Sequence, residues 1–310
     1  MRIVFMGTPE FAVPSLRALV ENGYNVVGVI TQPDRPAGRG HKLTPCPVKA
    51  LALEKGLEVF QFEKIKAQEG VECLRTLKPD LVVTAAFGQL LSPEILSIPR
   101  YGTVNVHASL LPKYRGSAPI NWCILNGEKV AGVTTMLTDI GMDTGDMLLK
   151  AQTDVGELET AGELTQRLSE IGAKLLIDTL KFYPNGGLKS VPQNEAEASY
   201  QPMLTKEMGR IDWTKSAQEI SCQVRGLNPW PCAYTENGDG RLKIYLARPC
   251  AAEAAAEPGT VTVSGAREGL KIACGDGWLE VLEMQAPNAR RMSAKAYLQG
   301  KRIEIGTKFN

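Results

Sequence analysis

The chain has 310 residues, 44% of them hydrophobic and 22% charged, close to an ordinary soluble protein with a large core and, at common domain sizes, two domains. That excludes a disordered tail, a collagen-like fibre and a disulfide-stapled miniprotein. Lys and Arg total 35 against 34 Asp and Glu, so bulk charge alone points to no nucleic-acid partner.

In chain order, Ile3 to Met6 reads as a short buried strand broken at Gly7-Thr8-Pro9. An amphipathic helix through Phe11, Val13, Leu16, Leu19 and Val20 follows and stops near Asn22-Gly23. Strand patterns recur at Val26 to Thr31, Val59-Phe60, Leu81 to Ala85, Thr103 to Val106, Val133 to Leu137 and Met147 to Lys150, with helical patterns between many of them. This alternation predicts an α/β domain over 1–189: a doubly wound, mainly parallel sheet closed by a helix from about Ala161 to Phe182. Residues 190–208 are polar, contain Pro192 and Pro202, and read as a linker. Over 209–310 a helix around Ala217 to Val224 precedes short strand runs at Leu242 to Ala247, Thr260 to Val263, Leu270 to Ala273 and Trp278 to Leu282. Turn residues separate these runs, which predicts a smaller OB-like β-barrel. The last stretch, Ala286 to Asn310, has six basic residues and one acidic. A solvated surface accounts for this, and so does a phosphate-facing rim.

No apolar run is long enough for a membrane span or a signal-peptide core. The seven cysteines are odd in number and include no Cys-x-x-Cys pair, and there are two histidines. Reduced thiols, a cytoplasmic location and no metal are expected.

Gly7-Thr8-Pro9 stands where a dinucleotide fold carries Gly-x-Gly-x-x-Gly, and the motif is missing. Asn105-Val106-His107 is more informative. In a strand the two polar side chains share one face, and they emerge at a carboxyl end, where open α/β sheets bind ligands. A lone histidine in an apolar run is more often a satisfied buried side chain; the neighbouring Asn105, the strand end and the scarcity of histidine tilt the reading towards a site. Asp139 to Asp146 contains three carboxylates and two glycines. Alone it reads as an ordinary turn, and as an EF-hand it lacks the required glutamate. Beside a histidine at a neighbouring strand end, one of its carboxylates could orient the imidazole.

At these residues the sequence resembles the formyltransferases that use 10-formyltetrahydrofolate. The resemblance is carried by Asn105, His107, Ser109-Leu110-Leu111-Pro112, Gly116 and the Asp139 to Asp146 loop. Within that family, Gly7 to Phe11, Thr31 to Gly40 and Gly226 to Pro231 match the branch whose acceptor is methionyl initiator tRNA. The resemblance implies a catalytic trio of Asn105, His107 and Asp143. It implies that Ser109, Leu110, Leu111 and Pro112 lie against the folate, and that the main chain of Phe87, Gly88, Gln89 and Leu91 holds the pterin. Formyl transfer between nitrogens needs donors for the oxygen that becomes an alkoxide and a group that moves a proton. Asn105 and His107 suit those roles, with Asp143 holding the second ring nitrogen.

The segment Gln32 to Lys49 is long for a loop in a compact unit and is rich in proline and base. It reads either as a mobile solvated loop or as a basic finger entering the end of a tRNA, with Arg39 foremost and Arg35 and Lys42 aiding phosphate contact. The expected partners are initiator methionyl-tRNA and formyl-folate, with no membrane, and the expected state is a monomer. Two alternatives are an enzyme of the same family with another acceptor, a sugar-nucleotide amine or water, and a non-catalytic RNA-binding module.

Overall fold

A computed structural model describes residues 1–37, 42–238 and 240–310. Strand β1 (Arg2–Gly7) is followed by α1 (Val13–Glu21) and β2 (Asn25–Thr31), then by a small hairpin, β3 (Arg35–Ala37) and β4 (Lys42–Thr44). Helix α2 (Pro47–Glu54), β5 (Val59–Gln61), α3 (Gln68–Leu77), β6 (Leu81–Ala85), α4 (Pro93–Leu96) and β7 (Thr103–His107) continue the alternation. Next come β8 (Arg115–Gly116), α5 (Pro119–Leu125), β9 (Val130–Leu137), β10 (Met147–Asp154), α6 (Ala161–Phe182) and β11 (Tyr200–Gln201).

Seven strands form one sheet in the order β10-β9-β7-β6-β1-β2-β5. From β7 to β5 every neighbouring pair is parallel, and β9 runs antiparallel to β7. The strand order reverses beside β1, as in a doubly wound sheet. Ile3, Val4, Phe5 and Met6 of β1 are wholly buried, because a strand covered on both faces needs apolar side chains at every position rather than at alternate ones. Gly172 lets α6 lie close on the sheet: a Cβ there would stand 2.8 Å from Val106 and 3.3 Å from Val133.

The chain packs as two compact units that do not divide at a single point. The sheet unit takes 1–116, 131–153 and 165–201; the other takes 117–130, 154–164 and 202–310. Segment 190–201 therefore runs with the sheet unit. Val191 exchanges two main-chain hydrogen bonds with Met147, and β11 pairs in parallel with β8. Its composition reads as a linker because its partners are remote segments, not its own neighbours.

The second unit is built on α7 (Ala217–Gly226), which opens with a capping box between Ser216 and Glu219. Helix α5 joins this unit through a 2.7 Å bond from Asn121 to the Gly226 carbonyl. The strands are β12 (Ala233–Asn237), β13 (Gly240–Cys250), β14 (Val261–Gly265), β15 (Gly269–Ala273), β16 (Trp278–Gln285) and β17 (Met292–Ser293), before α8 (Ala294–Gly300). They form an antiparallel sheet in the order β12-β13-β16-β15-β14, with β17 beside β16. The final segment bonds to both edges: Thr307 and Gly306 to Val261, Phe309 to Gly259, and Asn310 to Glu236. That closes the sheet into an OB-like barrel around Ile211, Trp213, Ile220, Val224, Leu242, Ile244 and Val281. Among the described residues, no helix is long and apolar enough to cross a membrane.

Candidate active site

Strand β7 delivers Asn105 and His107 to one face at its carboxyl end. Its register with β6 sets Thr84 opposite Asn105, and the Thr84 hydroxyl donates to Asn105 Oδ1 at 2.9 Å. That bond orients the carboxamide with its acceptor inward. Nδ2 of this half-buried residue donates to no protein group among the described residues, so an N–H donor stands ready for an incoming oxygen. His107 is 6% exposed. Its Nδ1 is 3.5 Å from Asp143 Oδ1, too long for an ordinary hydrogen bond but within ion-pair reach when the ring is protonated. Its Nε2 is 3.1 Å from the Tyr114 carbonyl oxygen. The nitrogen turned away from Asp143 thus already has a protein partner, where the sequence led us to expect it open towards substrate.

The three carboxylates of the acidic loop have separate tasks. Asp139 Oδ1 accepts from Gly141 N at 3.1 Å and Thr144 Oγ1 at 2.7 Å, closing a local turn. Asp146 Oδ2 accepts from Ser190 Oγ at 2.7 Å. Asp143 faces the imidazole, and its Oδ2 accepts from Gly116 N at 2.9 Å. Asp143 has φ +57°, a left-handed conformation that a non-glycine residue adopts only when its surroundings hold it there. Gly145, two residues on, has no room for a side chain, since a Cβ would lie 1.8 Å from the Leu137 carbonyl oxygen. No group of three or more metal-ligating side chains converges among the described residues.

After β7 the chain is held tightly. Ser109 Oγ donates to Lys113 O at 2.6 Å, Thr134 Oγ1 donates to Ser109 O at 2.7 Å, and Leu111 N donates to Thr134 Oγ1 at 3.2 Å. Lys150 Nζ reaches the Leu111 carbonyl. Leu111 and Pro112 are buried, and half-buried Leu110 packs over Gly132.

In the loop after β6, Phe87 and Leu91 point into the core. Gln89 ties the loop to its neighbour, accepting from Ile65 N at 2.7 Å and donating to Phe62 O at 3.1 Å. Gly88, at φ +77°, is exposed. Among the described residues the main-chain N–H groups of Gly88 to Leu91 have no protein partner.

The finger is anchored at its base. Lys49 Nζ donates to Asp34 Oδ2 at 2.6 Å and Gln61 Oε1 at 2.7 Å, and Gln61 Nε2 reaches Asp34 Oδ1 and Gln32 O. Bonds from Lys49 and then Gln61 hold the Asp34 carboxyl below the usual carboxylate range. Gln32 Nε2 in turn donates to Phe87 O at 3.0 Å, linking the finger's base to the loop after β6. Arg35 pairs with Glu63 at 3.0 Å, both well exposed, and Lys42 opens β4. Arg39 lies outside the described residues.

The family model for formyl transferase matches residues 1–180, and that for the formyl transferase C-terminal domain matches 203–302. The chain belongs to the formyl transferase family. It is 48% identical to methionyl-tRNA formyltransferase of Ruminiclostridium cellulolyticum over 313 residues, covering 100% of this chain and 99% of that one. It is 50% identical to the protein of the same name from Acetivibrio thermocellus over 307 residues, covering 99% and 98%. In fold alone, it resembles an N-formyltransferase from Helicobacter canadensis solved with folinic acid and dTDP-3-aminofucose, with TM-score 0.68 at 20% identity, covering 94% of this chain and 99% of that one.

Thr84, Tyr114, Arg115 and Gln193 all touch this candidate site or its supports and carry no motif of their own, whereas Gly116 belongs to the run that carries the family resemblance. The signal for Tyr114 and Arg115 is indirect, in that they sit inside the stretch that continues from Asn105 to Gly116.

Proposed function

We propose that this chain transfers the formyl group of 10-formyltetrahydrofolate to the α-amine of methionine on initiator tRNA. The amine attacks the formyl carbon, and the carbonyl oxygen gains charge in a tetrahedral intermediate. A proton leaves the attacking nitrogen as another reaches the leaving nitrogen. The observation that carries this reading is the approach of Asp143 to His107, on the strand end where Asn105 presents an unpaired amide donor. Asn105 Nδ2 supports the charged oxygen, a contribution of about 2.7–4 kcal/mol for such a donor. His107 moves the proton once its Nε2 exchanges the Tyr114 carbonyl for substrate, a contribution worth about 10²–10⁴ in rate, and Asp143 steadies the ring.

The residues after β6 suit the donor. Free main-chain N–H groups beside an exposed, side-chain-free Gly88 fit the edge of a flat heterocycle that hydrogen-bonds, with Gln89 fixing the loop and Phe87 and Leu91 seating it. Ser109 to Pro112 offer a rigid apolar wall for the rest of the folate. For the acceptor, Arg39, Arg35 and Lys42 of the finger, together with exposed Arg290, Arg291, Lys295, Lys301 and Arg302 of the barrel unit, supply phosphate contacts. All the proposed chemistry comes from residues of one chain, so a monomer acting in the cytoplasm suffices.

The test is formyl transfer from 10-formyltetrahydrofolate onto methionyl initiator tRNA, run beside elongator methionyl-tRNA and an amino-sugar nucleotide. Transfer to the initiator alone is expected. Preference for the sugar nucleotide overturns the acceptor, and no transfer to any of them overturns the reaction. Affinity for tRNA should also fall with log salt by up to about 0.9 log units per phosphate contacted.

A further inference from the structure

The polar segment after α6 does more than connect. Gln193 is half-buried, and every polar atom of its side chain is engaged. Nε2 donates to the carbonyl oxygens of Asp143, at 2.8 Å, and Gly145, at 2.7 Å. Oε1 accepts from Arg115 Nε at 3.0 Å. Arg115 is the largest fully buried side chain of the chain's described residues. Its remaining nitrogens bind Glu195 at 2.6 and 2.9 Å and the Tyr200 hydroxyl at 2.7 Å.

An amide can present its oxygen or its nitrogen to either side, and a guanidinium has only donors to offer. Arg115 therefore fixes which end of Gln193 faces the acidic loop. The two amide hydrogens must then point at the two carbonyls that bracket the Asp143 turn. The next residue, Gly116, donates to the Asp143 carboxylate. One dipeptide thus holds the carboxylate directly and its main chain through Gln193. Ser199 completes the strap, accepting from Tyr114 N at 2.9 Å on its hydroxyl and from Arg115 N at 2.8 Å on its carbonyl, beside the Tyr114 carbonyl that meets His107.

We propose that Gln193, oriented by Arg115, is a positioning residue for Asp143: it holds the left-handed turn that aims the carboxylate at His107. This role rests on the catalytic reading of Asp143 given above.

Gln193→Glu is nearly isosteric. It keeps an acceptor for Arg115 but sets a carboxylate oxygen against two carbonyl oxygens. In the full-length protein it should lower kcat about 10- to 100-fold, leave KM for 10-formyltetrahydrofolate and for methionyl-tRNA within about threefold, and leave the melting temperature near wild type. In an Asp143→Asn background the same change should cost less than about a further twofold, since it acts through Asp143. Hydrogen exchange of residues 139–146 should rise in Gln193→Glu. Gln193→Ala, which removes the donors without adding charge, should follow the same pattern and replaces Gln193→Glu if that variant fails to fold. Full additivity with Asp143→Asn, a change confined to KM, or wild-type protection of 139–146 overturns the role. If wild type itself transfers no formyl group, the functional reading fails, and exchange alone decides the clamp.

Discussion

The strand-end site and the proline-rich finger belong to the same sheet unit, yet they are secured in opposite ways. At the site, Asn105 and Asp143 are tied to segments remote in sequence, Thr84 and Gly116 with Gln193, and His107 to Tyr114 seven residues on. Among the described residues the finger is pinned where it leaves the sheet, by the Lys49–Asp34–Gln61 knot, and its Arg35 meets Glu63 in solvent. Chemistry between two nitrogens needs groups fixed to within a fraction of an ångström. A segment that meets a large polyanion needs charge and reach, with less demand on geometry. The difference in anchoring suits the different tasks proposed for them.

That contrast can be broken most readily at the site. His107→Ala should lower kcat by about 10²–10⁴-fold, measured by single-turnover formyl transfer with the melting temperature as control; turnover within a few-fold of wild type would remove the imidazole from the mechanism. Asn105→Ala should cost about 10²–10³-fold, again in kcat rather than in KM for tRNA. Thr84→Val keeps the shape and removes the hydroxyl that orients Asn105. The loss expected is that of one neutral hydrogen bond, about 0.5–1.5 kcal/mol or roughly two- to thirteenfold in kcat; an unchanged rate means that Asn105 orients itself.

The finger should respond differently. Asp34 is more acidic in the folded chain than in the unfolded one, so its stabilisation is complete above the unfolded value of about 3.9 and is lost as pH falls through the lower folded value. Hydrogen exchange at 35–37 and 42–44 should therefore rise in acid, whereas Asp34→Asn should raise it already at neutral pH and flatten the dependence. Smallest of all, Arg35→Ala should change stability by under about 1 kcal/mol, because both partners of its ion pair are exposed. Any larger effect of this change should appear in the salt-dependent affinity for tRNA.

The sequence makes the sheet legible because β1, β2, β6 and β9 are largely apolar runs, and in β7 the Asn-x-His spacing settles which side chains share a face. Which of Asp139, Asp143 and Asp146 would meet the imidazole is not legible from local chemistry, since all three lie in a loop that composition reads as a turn; the family resemblance made that choice. What separates them physically is a left-handed φ at Asp143 and a glutamine 50 residues downstream. The burial of Arg115 is not legible in the sequence, because the partners that permit it, Gln193, Glu195 and Tyr200, come 78 to 85 residues later. The β3–β4 hairpin hides behind Pro33, Pro36 and two glycines, which signal loop and mask short strands.

The OB-like unit has a seam. Gly259 and Val261 on one margin and Glu236 on the other are stitched by the few residues around Phe309, whose ring is 3% exposed. Unpicking that seam, for example with Phe309→Ala, would bare two rows of unsatisfied main-chain groups at once, each a template on which another molecule could add a strand. How well these margins resist the addition of a foreign strand therefore depends on how firmly one aromatic ring is seated.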